Sequence, residues 1–185
     1  MDDFELTRTP DEVARRLLAV TACAAVAFHA DLRDSIVSWF QDEDLLSFLS
    51  EHELDFILSP TPQQHHVVQY SWYIEAAVVL GWALCLIDKL PSPAGQSSIS
   101  DIVELVPAPG ESTSGFISGS MLRSVEQLCE AAARLETIHA LARSDQDHGR
   151  PTRVGDVDVI QEHHRAIKWL VADEGLDWEL VATNT

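Results

Sequence analysis

Residues 71–87 read Ser-Trp-Tyr-Ile-Glu-Ala-Ala-Val-Val-Leu-Gly-Trp-Ala-Leu-Cys-Leu-Ile, and between Trp72 and Ile87 the only charged side chain is Glu75. A helix that is apolar on all sides belongs inside a protein, with other elements packed around it. The rival reading, a membrane span, needs about 20 consecutive apolar residues, and this run is shorter and carries an acid. The stretch from about Gln63 to Leu90 therefore predicts a central buried helix, bounded by Pro60 and Pro62 before it and by Pro91 and Pro93 after it.

Helical signals extend outward on both sides. Thr9-Pro10-Asp11-Glu12 is a helix start, with Thr9 as cap, Pro10 in the first turn and Glu12 three residues after the cap. It opens a predicted helix from Pro10 to about Ala30, whose small residues between Ala22 and Ala27 suit close helix packing. Asp31 or Asp34 is placed to cap a second helix carrying Ile36, Val37, Trp39 and Phe40. Ser50-Glu51-His52-Glu53 is another capping box, ahead of Leu54, Ile57 and Leu58. Downstream, Ser, Pro and Gly dominate residues 91–120 and predict a long loop, interrupted by Ile99–Val106 as a short helix or strand. A helix follows from Ser120 to about Arg143, with Leu122, Val125, Cys129, Ala132, Leu135 and Ile138 on one face. A last helix spans about Val157 to Ala172, its inner face formed by Val157, Ile160, His164, Ile167 and Val171. Strand alternation is nearly absent. The expectation is an all-α fold, a compact bundle of six to eight helices around the Glu75 helix, in one domain over residues 1–185.

The chain carries 30 acids against 12 bases, a net charge of −18, and residues 41–60 alone hold six acids and no base. Nucleic acid and anionic membranes are bound through Lys and Arg, so this balance excludes both as expected partners. A basic protein partner is the expected complement, and a homodimer is compatible with the sequence. Cys23, Cys85 and Cys129 lie far apart in apolar contexts, as reduced thiols of a cytoplasmic protein do. Arg15-Arg16 followed by apolar residues up to Cys23 imitates a secretion leader, but the acidic start at Asp2, Asp3 and Glu5 opposes that reading.

Three blocks of sequence carry a resemblance: Arg8-Thr9-Pro10 with Glu12-Val13 and Arg16; Ser71-Trp72-Tyr73-Ile74-Glu75-Ala76 with Trp82-Ala83-Leu84; and Glu162-His163-His164-Arg165-Ala166-Ile167-Lys168-Trp169-Leu170 with Asp177-Trp178-Glu179 and Thr183-Asn184-Thr185. Leu122-Arg123-Ser124 adds to them. With these the chain resembles the domain-of-unknown-function family 4272 over nearly its whole length. It departs from the usual pattern at Tyr73 and His163, where the family has Arg, and at Lys168, where it has Asn. The resemblance implies a helical fold of bacterial origin and no particular activity.

Glu75 is the residue most in need of a partner, because a carboxylate in so apolar a run must be paired, protonated or facing a cavity. Arg123 and Arg165 are candidate ion-pair partners, and removing one partner of such a pair costs about 3–5 kcal/mol. The sharper alternative places Glu75, Glu162, His164 and Arg165 in one pocket as acid, base or ligand-binding groups. The doublets His65-His66 and His163-His164 argue against a metal, since neighbours on a helix point about 100° apart, and zinc spacings are missing. No dinucleotide, phosphate-loop or nucleophile-elbow motif is present, so no cofactor is expected. The tryptophans read as anchors between helices, with Trp39 and Trp178 expected to be partly exposed. The leading functional expectation is a non-enzymatic interaction protein with an acidic surface, comparable in size and charge to immunity proteins; the alternative is a small-ligand binder or enzyme using Glu75, His164 and Arg165.

Overall fold

The computed structural model describes residues 8–172 and 176–183, which contain helices and connecting turns and no strand. Seven helices have eight or more residues: α1 (Pro10–Phe28), α2 (Arg33–Asp42), α3 (Glu51–Leu58), α4 (Gln64–Ser71), α5 (Tyr73–Ala83), α8 (Val125–Asp147) and α9 (Val157–Val171). Two helices have five residues: α6 (Ile99–Val103), within the Ile99–Val106 stretch expected as a short helix or strand, and α7 (Ser114–Ser118), within the expected loop. The all-α expectation holds. The terminal Asn184-Thr185 of the family pattern lies outside the described residues.

Local chemistry explains the boundaries. Thr9 and Glu12 form a reciprocal capping box on α1, Ser50 and Glu53 another on α3, and Ser124 and Gln127 a third on α8. Each satisfies two amides that a helix start leaves without partners. Every residue of α5 is buried, as a helix without a polar face requires. It is shorter than expected. Trp72 turns the chain between α4 and α5, and beyond Ala83 the helix closes with the Leu86 amide on the Gly81 carbonyl (2.9 Å) and the Cys85 amide on Trp82 (3.0 Å). That closure places Cys85 in the left-handed region, at φ 61°, a position normally filled by glycine.

α5 is enclosed by α1 on one side and α9 on another, and α8 packs along the far side of α9. The buried apolar side chains of these helices form a continuous cluster with Phe40, Phe56, Ile102 and Trp178. The inner face of α8 differs from the expected stripe. Its buried residues are Leu128, Ala131, Leu135, His139, Ala142 and Asp145, so the stripe is phased on Leu128 and continues through two polar positions. Asp145 is held there by Arg153 at 3.1 Å through both carboxylate oxygens.

Residues 84–123 wrap the bundle. Gly155 lets this wrap approach α9: an added Cβ would sit 2.3 Å from the Pro93 carbonyl oxygen, and the neighbouring Asp156 amide donates to that same oxygen at 2.9 Å. No helix among the described residues is long and apolar enough to cross a membrane.

A β-carbon in the left-handed region costs free energy that glycine avoids, so Cys85→Gly is expected to raise stability by about 0.5–1 kcal/mol. Urea unfolding measures this, and an unchanged or lower midpoint would contradict the account of how α5 ends.

Candidate functional site

Glu75 is fully buried, in the first turn of α5. Its partner is none of the three expected. Ser97 donates its backbone amide to Oε1 at 2.7 Å and its hydroxyl to Oε2 at 2.9 Å, and His163 Nε2 lies 3.2 Å from Oε2. Burial pushes the Glu75 carboxyl up, but the bonds from His163 and Ser97 outweigh it and hold the group below its ordinary value. The carboxylate therefore stays charged, and the His163 edge facing it must carry a proton. A depression of about 250 Å³ lined by Trp72, Gln96 and Ser97 ends on Glu75, yet Glu75 and His163 have no exposed surface. The pair ties α5 to α9 inside the fold.

Arg123 is elsewhere. Its guanidinium lies 4.8 Å from the Trp82 ring and donates to the carbonyls of Trp82 (2.7 Å), Ile87 (2.7 Å) and Asp88 (3.0 Å). It closes the C-terminal end of α5, where a cation is favoured.

His164 faces α8, not Glu75. Its Nδ1 lies 2.9 Å from Nδ1 of His139, and both rings are buried. One nitrogen must donate and the other accept. His139 Nε2 has no partner, and a lone acceptor is cheaper to bury than a lone donor; this assigns the shared proton to His139 Nδ1. Burial lowers the His164 pKa to about 4, with His139 and Lys168 adding to it and Glu136 opposing; burial and Arg143 lower that of His139. The two histidines of the doublet thus serve different helices. Both are buried because α9 is sandwiched between α5 and α8. The His65 and His66 doublet is exposed. Among the described residues no group of three or more His, Cys, Asp or Glu is placed to hold a metal ion.

Arg165 and Glu162 flank the His163-His164 doublet on α9. Arg165 Nη1 is 3.6 Å from Glu162 Oε2, and the guanidinium lies 5.5 Å from the Tyr73 ring and 5.1 Å from that of Trp178. Burial raises the Glu162 carboxyl above its ordinary value, with Arg165 opposing. Trp178 is 2 % exposed and Trp39 6 %, so neither is the surface residue expected. Trp178 is the hub of the contacts around Arg165. Its indole donates to the Tyr73 hydroxyl at 3.2 Å, its ring stands edge-on to Trp169 at 5.5 Å, and Arg16 stacks over it at 5.1 Å. Arg16 also pairs with buried Glu53 at 2.7 Å. The three sequence blocks, distant along the chain, converge around this one ring.

Glu75, His164 and Arg165 therefore face three separate environments and form no common pocket. A cavity does exist, in a place the sequence did not suggest. It has a volume of about 470 Å³ and lies between α1 (Leu18, Thr21, Ala22, Ala25), α2 (Ile36, Trp39) and a roof formed by α6 and Val106–Pro109. Its walls are almost entirely apolar. The polar lining residues are the exposed His29 and Ser100 and the buried Thr21, 4 % exposed, whose hydroxyl has no hydrogen-bond partner. The roof is fastened at both ends by carboxylates: Ser97 on Glu75, and Thr113, whose amide and hydroxyl each donate to Glu43 Oε2 at 2.7 Å. The Trp39 indole adds a bond to the Glu111 carbonyl at 2.7 Å. The Ala22–Ala27 run was the available signal; in the fold, Ala22 and Ala25 leave room on the cavity side of α1.

The molecule is thus an all-α protein with a closed polar core and a roofed apolar cavity. It belongs to the family described as Domain of unknown function (DUF4272), whose profile matches residues 2–181. No curated protein and no solved structure matches the chain.

The facing histidines bind fewer protons in the folded than in the unfolded state. Their contribution is intact above the ordinary histidine value, about 6.5, and is lost as pH falls toward the folded value. Urea unfolding is expected to lose on the order of 1 kcal/mol per pH unit between about pH 6.5 and pH 4, and His164→Gln to flatten that slope. Equal slopes in the two proteins would contradict the assignment.

Proposed function

We propose that the protein binds a small, mainly apolar molecule in the cavity between α1, α2 and the α6 roof. One observation carries this reading: a partly open apolar pocket of about 470 Å³ whose wall holds a buried, unpaired hydroxyl, that of Thr21. Small-ligand sites are concave and mostly apolar, and a few placed polar groups fix the ligand's orientation. An unpaired buried hydroxyl costs about 1–3 kcal/mol, so a ligand carrying one polar atom would recover part of that cost. The roof supports the same reading, since an apolar ligand needs a wall that can open. Its two ends are tied by a few side-chain bonds, while the α1 wall belongs to the core. The closed pairing of Glu75 with His163 and of His139 with His164 supports binding over catalysis, because those titratable groups have partners already.

A second reading has its own observation. Asp42, Asp44, Glu51 and Asp55 are all exposed, in a stretch without a base, and suit a basic protein partner held by charge in the cytoplasm. On the same grounds the protein would repel nucleic acid.

Titration with the neutral fluorescent probe N-phenyl-1-naphthylamine separates the two. Saturable binding is expected, with energy transfer from tryptophan, because Trp39 lines the cavity. Filling the space with Ala25→Phe, or from the roof side with Val103→Trp, is expected to weaken the probe by about tenfold or more. Probe binding that is absent, or that both variants leave intact, would refute the cavity reading and favour the charge-held partner.

A further inference from the structure

In a chain with 30 acids and 12 bases, each guanidinium should find a carboxylate nearby. At the start of α1, among the described residues, two of three arginines have none. Arg15 is half-buried and has no hydrogen-bond acceptor or ion-pair partner among the described residues; its guanidinium lies flat over the Phe48 ring at 4.4 Å. Arg16 is 7 % exposed, and although its Nη2 reaches Glu53, its buried Nε has no partner. Among the described residues, Arg8 stacks over Trp169 at 4.5 Å and donates only to the main-chain carbonyls of Trp169 and Leu176, which carry no charge. All three line one pocket of about 240 Å³, walled by the rings of Phe48, Trp169 and Trp178.

The two acids on that pocket are already engaged. Glu12 Oε2 accepts from the Thr9 amide at 2.7 Å and hydroxyl at 3.1 Å, and Asp177 Oδ1 accepts from the Glu179 amide at 3.3 Å. Of the three guanidinium groups, only that of Arg16 pairs with a carboxylate, Glu53, among the described residues. Stacking on an aromatic ring occupies the face of a guanidinium and leaves its edge of N–H donors free. Donors presented this way from several arginines match an oxyanion, and a tetrahedral one with three terminal oxygens more fully than a planar carboxylate with two.

We propose that this pocket binds the phosphate group of a small phosphorylated molecule. The phosphate sits among Arg8, Arg15 and Arg16, and the edges of Phe48, Trp169 and Trp178 receive the organic part. The site shares no residue with the apolar cavity, which begins on α1 at Leu18, so either can fail without the other.

Isothermal titration calorimetry at low ionic strength tests it, with inorganic phosphate and phenyl phosphate as probes and acetate as the comparator. Saturable binding of both phosphates is expected, at least about tenfold tighter than acetate and weakened by added salt. Arg15→Ala should weaken phosphate by about tenfold or more, while Arg134→Ala, an exposed arginine on α8, should leave it unchanged. If Arg15→Ala melts below the working temperature, Arg15→Gln keeps a stem over Phe48 and is read in the same way. The proposal is overturned by the absence of saturable phosphate binding, by acetate binding equally well, or by an Arg15 variant that binds as the parent does.

Discussion

A single buried carboxylate ties three parts of this molecule together. Glu75 stands on the most apolar helix, and a charge taken out of water there costs several kcal/mol unless its oxygens are bonded. The bonds come from His163 on α9 and from Ser97 at the start of the roof segment. The position of α9 against α5, and of the roof against both, is therefore set by the need to satisfy one side chain. Deep burial would favour protonation, but the donors around Glu75 prevail. The same arrangement recurs at the far end of the roof, where Glu43 takes the amide and hydroxyl of Thr113. There the carboxyl is lowered by those Thr113 bonds, with burial a lesser opposing influence.

These two attachments give the apolar cavity its shape. Its floor, on α1, is small because Ala22 and Ala25 are small, and its roof is a short helix and a proline-containing turn held at both ends. A segment so rich in serine, proline and glycine has little tendency to order itself, so its order comes from the carboxylates, from the Trp39 bond to Glu111 and from Ile102 packed into the core. The floor belongs to the most stable part of the molecule, and the roof is attached at points that can release one by one.

Much of the frame was legible in the sequence, for identifiable reasons. The capping boxes at Thr9 and Ser50, the punctuating prolines and the unbroken apolar run gave helix positions closely, because each is a local signal. The burial of Glu75 followed from its neighbours. Its partner did not. The expectation fixed on His164, which follows the apolar stripe, and passed over His163, because a helix with one inner face would turn His163 outward. α9 has two inner faces, one for α5 and one for α8, and that is a tertiary fact. The same limit applies to Arg123, an ion-pair candidate by charge and in the fold a cap on α5, and to Trp178, which is buried in the core. The cavity was invisible because an alanine that packs closely and an alanine that lines a space look alike in sequence. The short helix of the roof was legible in Ile99–Val106, but the fastening of its flanks was not, because it depends on carboxylates more than 20 residues away along the chain, Glu75 before Ser97 and Glu43 before Thr113.

The acid excess shapes what surrounds these features. Most of it lies on the surface, as on α2 and α3, while the arginines at the start of α1 turn inward onto aromatic rings. The central claim is that the Glu75 carboxylate, through Ser97, fastens the roof of the cavity. Its most direct test is amide hydrogen exchange in Glu75→Gln, which keeps the shape of the side chain and removes its charge. The account predicts exchange faster by about ten- to a hundredfold across residues 97–106 with α8 unchanged; exchange that stays the same at the roof, or rises equally throughout the fold, would contradict it.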